Sequence, residues 1–140
     1  MRRYRPKAPV PAVSALLLDG DRVLLIRRKA SPNRGRWTFP GGTVQLGETL
    51  SAAVVREVRE ETGLAVEPLE VVDATDVIVP ETVRPDYHFV LVVFRGRAVG
   101  GSLRAMSDAA EARWVPFSQL DELDVTETTR RTIEAVRAHM

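Results

Sequence analysis

The chain has 140 residues, of which 44% are hydrophobic and 28% are charged, and its formal net charge is +1. This length and composition fit one globular domain and exclude a disordered chain, and so small a net charge excludes the basic field expected of a protein that binds duplex nucleic acid. The absence of cysteine excludes thiol catalysis, Cys-ligated zinc and iron–sulfur clusters.

The N-terminal segment, residues 1–8, is basic, and we expect it to be a flexible arm in front of a single domain formed by residues 9–140. No apolar run reaches the roughly 20 residues that a membrane span needs, and no small-residue cleavage pattern follows the basic start. We therefore expect a cytoplasmic protein that does not contact membranes.

The first part of the chain predicts strands separated by turns and loops. Apolar or extended stretches predict strands at residues 10–18, 22–28 and 37–39. The turn signal Asp19-Gly20-Asp21 joins the first two strands into a hairpin, and prolines and glycines predict a loop at residues 29–36. Pro40-Gly41-Gly42 is expected to end the third strand.

A helix is predicted from Leu50 to Thr62, because Leu50, Val54 and Val58 recur every four residues and Gly63 is a suitable left-handed cap. Beyond it, strands are predicted at 66–79, with breaks at Pro68 and Asp73, at 88–95, followed by a turn at Gly100-Gly101, and at 113–115. A short helix is predicted at 117–123, and Thr126 is expected to cap a last helix that has Ile133 and Val136 on its inner face. Interleaved strands and helices predict an α+β fold, an α/β/α sandwich with a mixed sheet between helices.

Three carboxylates share one side of the predicted helix 50–62. At about 100° per residue, Glu57, Glu60 and Glu61 fall within an arc of roughly 100°, beside the apolar stripe rather than opposite it. Such crowded acids repel one another, and Arg56 and Arg59 are expected to point to the other side. A divalent cation with oxygen ligands, Mg²⁺ or alternatively Mn²⁺, would neutralise them. The alternative is a surface helix with ion pairs such as Arg56–Glu60.

The stretch around this helix resembles the signature of the Nudix (MutT-like) hydrolases. The matching positions, nine across 23 residues, are Gly42, Glu48, Arg56, Glu57, Val58, Glu60, Glu61, Gly63 and Leu64. The strand ending Leu-Leu-Ile-Arg-Arg, the Trp-Thr-Phe-Pro-Gly-Gly segment and the late Arg-Trp-Val are also similar to the family, particularly to its small ADP-ribose pyrophosphatase members. The resemblance implies a Nudix fold with a loop–helix–loop catalytic motif.

The resemblance also implies roles for particular residues. Glu57, Glu60 and Glu61 would be metal ligands, joined by the carbonyl of Gly41, and Arg56 would orient carboxylates by pairing with Glu48 or Glu57. Gly42 would permit the tight loop into the helix, and Gly63 would have a structural role at its end. Metal ions would activate a water for in-line attack on phosphorus. The general base is open between a signature glutamate and two late acids, Asp108 and Glu111, with Asp108 slightly favoured.

Substrate contacts are less defined by the sequence. Arg27 and Arg28 end a strand near the signature, and only one of them can face a given side of the sheet, where it would contact phosphate. Trp37 and Phe39 could stack on a base or fill the core. His88 is expected to be a structural or ligand-contacting residue rather than a catalytic one.

The substrate class is predicted from family patterns downstream of the signature. Pro80, sixteen positions past it, resembles the ADP-ribose pyrophosphatases, so ADP-ribose or a related nucleotide sugar is favoured over an oxidised or normal nucleoside triphosphate. A non-catalytic nucleotide-binding module is the alternative from another class, although such modules lose signature glutamates that this chain keeps. The expected partner is thus a small-molecule nucleotide, and a homodimer is compatible with the family.

Overall fold

We describe residues 4–140 of the chain from a computed structural model; residues 1–3 of the expected arm lie outside the described residues. The strands are β1 Val10–Asp19, β2 Arg22–Arg28, β3 Trp37–Thr38, β4 Gly41–Thr43, β5 Leu64–Val79, β6 Tyr87–Gly101 and β7 Ala109–Pro116. The helices are α1 Leu50–Thr62, a 3₁₀ turn at Phe117–Glu122, and α2 Glu127–Arg137. None of the helices in this part of the chain is long and apolar enough to cross a membrane.

The apolar strand β1 lies at the centre of a mixed sheet with the order β3-β2-β1-β6-β5. It runs parallel to β6, from Val10 opposite Phe89 to Leu17 opposite Gly96, and antiparallel to β2. β4 also pairs with β1 in antiparallel register, which places Gly41 opposite Ser14. This pairing brings the start of the signature against the middle of the sheet.

Alternation along β1 divides the interior into two cores. Ala12 and Leu16 face the core that contains Phe89 and Ile133 of α2. Residues of opposite parity face the core formed with α1, whose buried members include Val54 and Val58. The sheet therefore lies between α1 and α2, and this confirms the predicted α/β/α arrangement.

Helix α1 has the boundaries that the sequence predicts. The hydroxyl of Thr49 accepts a hydrogen bond from the amide of Ala52 at 3.1 Å, which satisfies one of the free N–H groups of the first turn. Gly63, with φ 75°, ends the helix in the left-handed conformation, and its N–H donates to the carbonyl of Arg59. Both ends are therefore defined by residues next to the catalytic signature.

Several strands differ from their predicted extents. The Gly41-Gly42 pair, expected to stop a strand, instead forms β4, because the close approach to β1 leaves no room for a Cβ at Gly41. β6 continues to Gly101 and β7 begins at Ala109, since each finds a long antiparallel partner. The breaks expected near Pro68 and Asp73 are register shifts within a continuous β5.

The described part of the expected arm lies against the loop between β5 and β6. The Tyr4 ring meets the Tyr87 ring edge-on, with 5.5 Å between centroids. The backbone N–H of Arg5 donates to the carbonyl of Asp86 at 2.6 Å, and the two side chains form an exposed ion pair. These contacts place residues 4 and 5 beside the end of the sheet at which β6 begins.

Candidate active site

The carboxylate of Glu61 is the most deeply buried acid of the signature. Its residue is only 3% exposed, and its Oε1 accepts a hydrogen bond from the amide of Gly41 at 2.7 Å. Burial raises the pKa of Glu61 to about 8 against that hydrogen bond, and the charge of Glu57 adds to the rise. The nearby guanidinium of Arg28 acts in the opposite direction. The protein alone therefore compensates the burial of an ionised Glu61 carboxylate incompletely.

Glu57 lies directly beneath the glycine pair. Its side chain is 14% exposed, and burial raises its pKa despite a hydrogen bond from Arg56. A Cβ on Gly42 would lie 2.3 Å from the Cδ of Glu57. A residue without a side chain is therefore required at position 42 to let the carboxylate reach the sheet.

Arg56 connects the acids of the motif. Its guanidinium donates to Glu48 at 2.7 and 2.9 Å, to Glu57 at 2.8 Å and to the carbonyl of Thr43 at 3.0 Å. The side chain also reaches Glu60 at 3.2 Å. This pairing is the one that the family resemblance implies for Arg56, whereas the expectation that Arg56 points to the other side of the helix is wrong. The backbone of Arg56 lies on the side of the helix that the sequence predicts, but its long side chain bends back to Glu57 and Glu60.

The arginine contacts also separate the acids electrostatically. The hydrogen bond from Arg56 holds the pKa of Glu48 at about 2, and the contacts with Glu48 and Glu57 raise the pKa of Arg56 itself. Glu48 also accepts from the amide of Gln45 at 3.0 Å, which fixes the loop before α1. The ionised form of Glu48 is therefore stabilised by Arg56, whereas burial destabilises the ionised forms of Glu57 and Glu61.

The donor set fits a hard divalent cation, because it consists of carboxylate oxygens and burial raises the pKa values of two of these acids, Glu57 and Glu61. Across residues 4–140, no group of three or more His, Cys, Asp or Glu side chains is already arranged as a metal site. The reason is local: Arg56 hydrogen-bonds Glu57 and Glu60, and Glu61 accepts from Gly41. A cation would compete with those contacts for carboxylate oxygens.

A narrow cavity opens next to Gly41, between the sheet and the start of α2. It is lined by Ser14, Arg28, Pro32, Asn33, Thr38, Phe39, Gly41, Val77, Phe89, Leu91, Thr126 and Thr128. The guanidinium of Arg28 is buried at this cavity and donates through Nε to the carbonyl of Pro32 at 2.6 Å. The cavity lining therefore combines a guanidinium that interacts electrostatically with Glu61 and apolar and aromatic side chains.

The residues predicted to contact substrate divide between this cavity and other places. Arg28 and Phe39 line it, while Arg27 forms an ion pair with Glu111 at 3.1 Å on the neighbouring strand β7. Trp37 is buried in the core, with the guanidinium of Arg113 4.8 Å from its ring centroid. His88 precedes Phe89 in β6 and so faces the opposite side of the sheet. Arg27 and Arg28 thus have different surroundings, on either side of an irregularity in the pairing of β2 with β7.

The two late acids are placed differently. Asp108 ends a segment whose backbone is tied to both sides of the site: Met106 N–H donates to the carbonyl of Glu61, and Lys29 N–H donates to the carbonyl of Asp108. Glu111 lies two positions into β7 and is paired with Arg27. The segment that ends in Asp108 is thus held at the C-terminal end of α1 through Met106, whereas the side chain of Glu111 pairs with Arg27.

Five polar cavity residues are not among those predicted from the sequence: Ser14, Asn33, Thr38, Thr126 and Thr128. Ser14 carries a usable signal, because it interrupts an apolar face of β1 between Ala12 and Leu16. Thr126 and Thr128 carry none, since their proximity to Gly41 depends on how α2 docks against the sheet.

Comparison with known proteins agrees with this geometry. A family model described as the NUDIX domain matches residues 8–136. The chain is 37% identical over 124 residues to the ADP-ribose pyrophosphatase of Methanocaldococcus jannaschii, covering 88% of this chain and 72% of that one. It is 35% identical over 111 residues to the oxidized purine nucleoside triphosphate hydrolase of Danio rerio, covering 75% and 68%. A MutT NUDIX hydrolase from Burkholderia pseudomallei superposes with a TM-score of 0.81 at 30% identity, covering 91% of this chain and 98% of that one.

Proposed function

The chain belongs to the Nudix hydrolase family, and we propose that it cleaves the pyrophosphate bridge of ADP-ribose or a related nucleotide sugar in a divalent-cation-dependent reaction. The observation that carries the proposal is a pair of acids, the buried Glu61 and the half-buried Glu57, next to a cavity that the buried Arg28 lines. The choice of substrate is supported by the name of the M. jannaschii relative and by Pro80.

We assign Glu57, Glu60 and Glu61, with the carbonyl of Gly41, to holding the cation, which would be Mg²⁺ or Mn²⁺. When bound, such a cation neutralises phosphate oxygens and lowers the pKa of a water molecule. Arg56 keeps Glu57 and Glu60 oriented toward the same point, because one of its nitrogens contacts both carboxylates. Pre-set carboxylates reduce the reorganisation that the reaction requires.

Arg28 is assigned to a substrate phosphate oxygen, since its buried guanidinium lies between the cavity and Glu61. A water molecule attacks phosphorus, its proton passes to Asp108, and the bond to the bridging oxygen breaks. We assign this role to Asp108, because its segment is held at the C-terminal end of α1 by the hydrogen bond from the Met106 N–H to the carbonyl of Glu61. Phe39 and Phe89 offer ring surfaces for the nucleoside.

A second substrate class is supported by a specific observation. The D. rerio relative, 35% identical, is named for oxidised purine nucleoside triphosphates, and the same cavity would receive a purine next to the phosphates. Both candidates share one mechanism at the carboxylates. They differ in which group leaves.

The test is phosphate release, measured with a coupled phosphatase, from ADP-ribose, UDP-sugars, diadenosine polyphosphates, and normal and oxidised triphosphates. Turnover that is concentrated on ADP-ribose and removed by EDTA would support the proposal. Preference for triphosphates would retain the reaction and reject the nucleotide-sugar assignment. Silence across the panel with both Mg²⁺ and Mn²⁺ would favour a non-catalytic nucleotide-binding module.

A variant pair separates catalysis from folding. Glu57→Gln should abolish hydrolysis while leaving the thermal midpoint close to that of the wild type, because the amide keeps the shape of the side chain. Glu134→Gln, on the exposed side of α2, is the matched control and should retain the wild-type rate. An unaltered rate in Glu57→Gln would reject the assignment of Glu57 to the cation.

A further inference from the structure

Ser14 is a polar residue where the fold calls for an apolar one. It lies in the middle of β1, between Ala12 and Leu16 on the face that packs toward α2, and is only 4% exposed. Its hydroxyl has no hydrogen-bond partner among the described residues. Buried hydroxyl groups are nearly always satisfied, so an unsatisfied one in this position requires an explanation.

The surroundings of Ser14 supply that explanation. The residue lines the cavity described above and is the register partner of Gly41, whose amide binds Glu61. The hydroxyl therefore belongs to a cavity that Phe39 and Phe89 also line, next to the glycine whose amide binds Glu61. A molecule whose phosphates reach the acids would place its sugar or the near edge of its base at this depth.

We propose that Ser14 is a specificity-determining residue whose hydroxyl hydrogen-bonds an uncharged polar group of the nucleoside portion of the substrate. The proposal rests on the proposed function for the class of ligand, a nucleotide. Serine can donate and accept, so the partner is either a ribose hydroxyl or a polar edge of the base. Ser14 is the one buried hydroxyl of the cavity lining without a partner among the described residues, and a nucleotide lacking that group would leave it unsatisfied.

The experiment measures binding, so that it does not depend on turnover. Dissociation constants of the wild type, Ser14→Ala and the exposed-residue control Ser118→Ala are determined by calorimetry with Mg²⁺. The nucleotides are AMP, 2′-deoxy-AMP, 3′-deoxy-AMP, IMP and GMP. The two deoxy nucleotides test the ribose hydroxyls, and IMP and GMP test the edge of the base.

We expect Ser14→Ala to weaken the best nucleotide of this panel by roughly 3- to 10-fold, the usual range for one hydrogen bond between uncharged groups. The nucleotide that lacks the partner group should bind wild type and Ser14→Ala equally, which is the signature of a pairwise interaction. The thermal midpoint of ligand-free Ser14→Ala should equal or exceed that of the wild type, because an unsatisfied hydroxyl has been removed. Ser118→Ala should match the wild type throughout.

Two results would overturn the inference. In the first, the dissociation constants of Ser14→Ala and the wild type agree within twofold for all five nucleotides. In the second, the wild type binds none of the nucleotides at millimolar concentration. Hydrolysis of the substrate panel with either result would leave the proposed function intact. Ser14-dependent binding without any hydrolysis would reject the proposed function and retain the role of Ser14.

Discussion

Adding a single methyl group at Gly42 should inactivate the protein without unfolding it. In Gly42→Ala the new Cβ would lie 2.3 Å from Cδ and Oε2 of Glu57 and 2.6 Å from its Oε1. Ordinary contact begins near 3.4 Å, so the carboxylate must withdraw by about 1 Å, the difference between 3.4 and 2.3 Å. The obstructed atoms are the far end of a flexible side chain, which can turn away at small cost to folding.

The withdrawal of Glu57 should affect catalysis far more than stability. It would break the 2.8 Å hydrogen bond from Arg56 and move a proposed cation ligand. A misplacement of this size at a reacting centre costs on the order of 100-fold in rate. We therefore expect kcat to fall about 100-fold, with a thermal midpoint within a few degrees of the wild type.

The assay compares steady-state hydrolysis and thermal unfolding of four variants. Gly100→Ala is the control, because the nearest atom to its Cβ would be that of Ala65 at 3.9 Å. The double variant Gly42→Ala/Glu57→Gln should be no slower than Glu57→Gln alone, since both changes act on one carboxylate. A kcat for Gly42→Ala within threefold of the wild type would show that the position of Glu57 beneath β4 does not matter.

Three further changes test other parts of the structure. In EDTA, Glu61 keeps its proton in the folded protein between its usual pKa of 4.5 and about 8, whereas in the unfolded chain it does not. The free energy of unfolding should therefore fall as pH rises through that window, by at most about 5 kcal/mol. In urea unfolding of Glu61→Gln, most of this pH dependence should be lost. A pH-independent wild type would contradict the burial argument. Arg56→Lys should lower kcat roughly 10-fold or more, because a single ammonium cannot replace the guanidinium fork that contacts Glu48 and Glu57; equal kinetics would show that charge alone suffices. Thr49→Ala should lose about 1 kcal/mol of unfolding free energy with unchanged KM, as measured by urea titration, and no loss would mean that the cap is redundant.

The fold was predictable where local chemistry decides the structure. Helix α1 followed from its four-residue apolar spacing and from Gly63, which provides the left-handed cap that a larger residue resists. Strand β4 was not predictable, because Gly41 and Gly42 read as breakers in isolation. They form a strand since β1 provides the partner: the missing side chain of Gly41 lets β1 approach, and that of Gly42 makes room for Glu57.

The same distinction applies to the site. Helical spacing placed three glutamates on one side of α1, and the structure buries two of them there. The predicted direction of the Arg56 side chain was wrong, because a helical projection gives the side of the helix from which a side chain leaves the backbone and not the place where a long side chain ends. The cavity could not be predicted, since Ser14 and Thr126 meet only after β1 and α2 pack together.

The segment before β7 is attached to its neighbours through the main chain. Arg104 N–H donates to the carbonyl of Thr62, Met106 N–H to that of Glu61, and the carbonyl of Asp108 accepts from Lys29. These hydrogen bonds join backbone atoms and do not depend on the identity of the side chains. The exposed positions Arg104 and Ala105 can therefore be randomised in a library without displacing Asp108. Substitutions at Arg104 and Ala105 can therefore change the surface of this segment while the position of Asp108 is kept. After gene duplication, the two copies could differ in selectivity through changes in this segment.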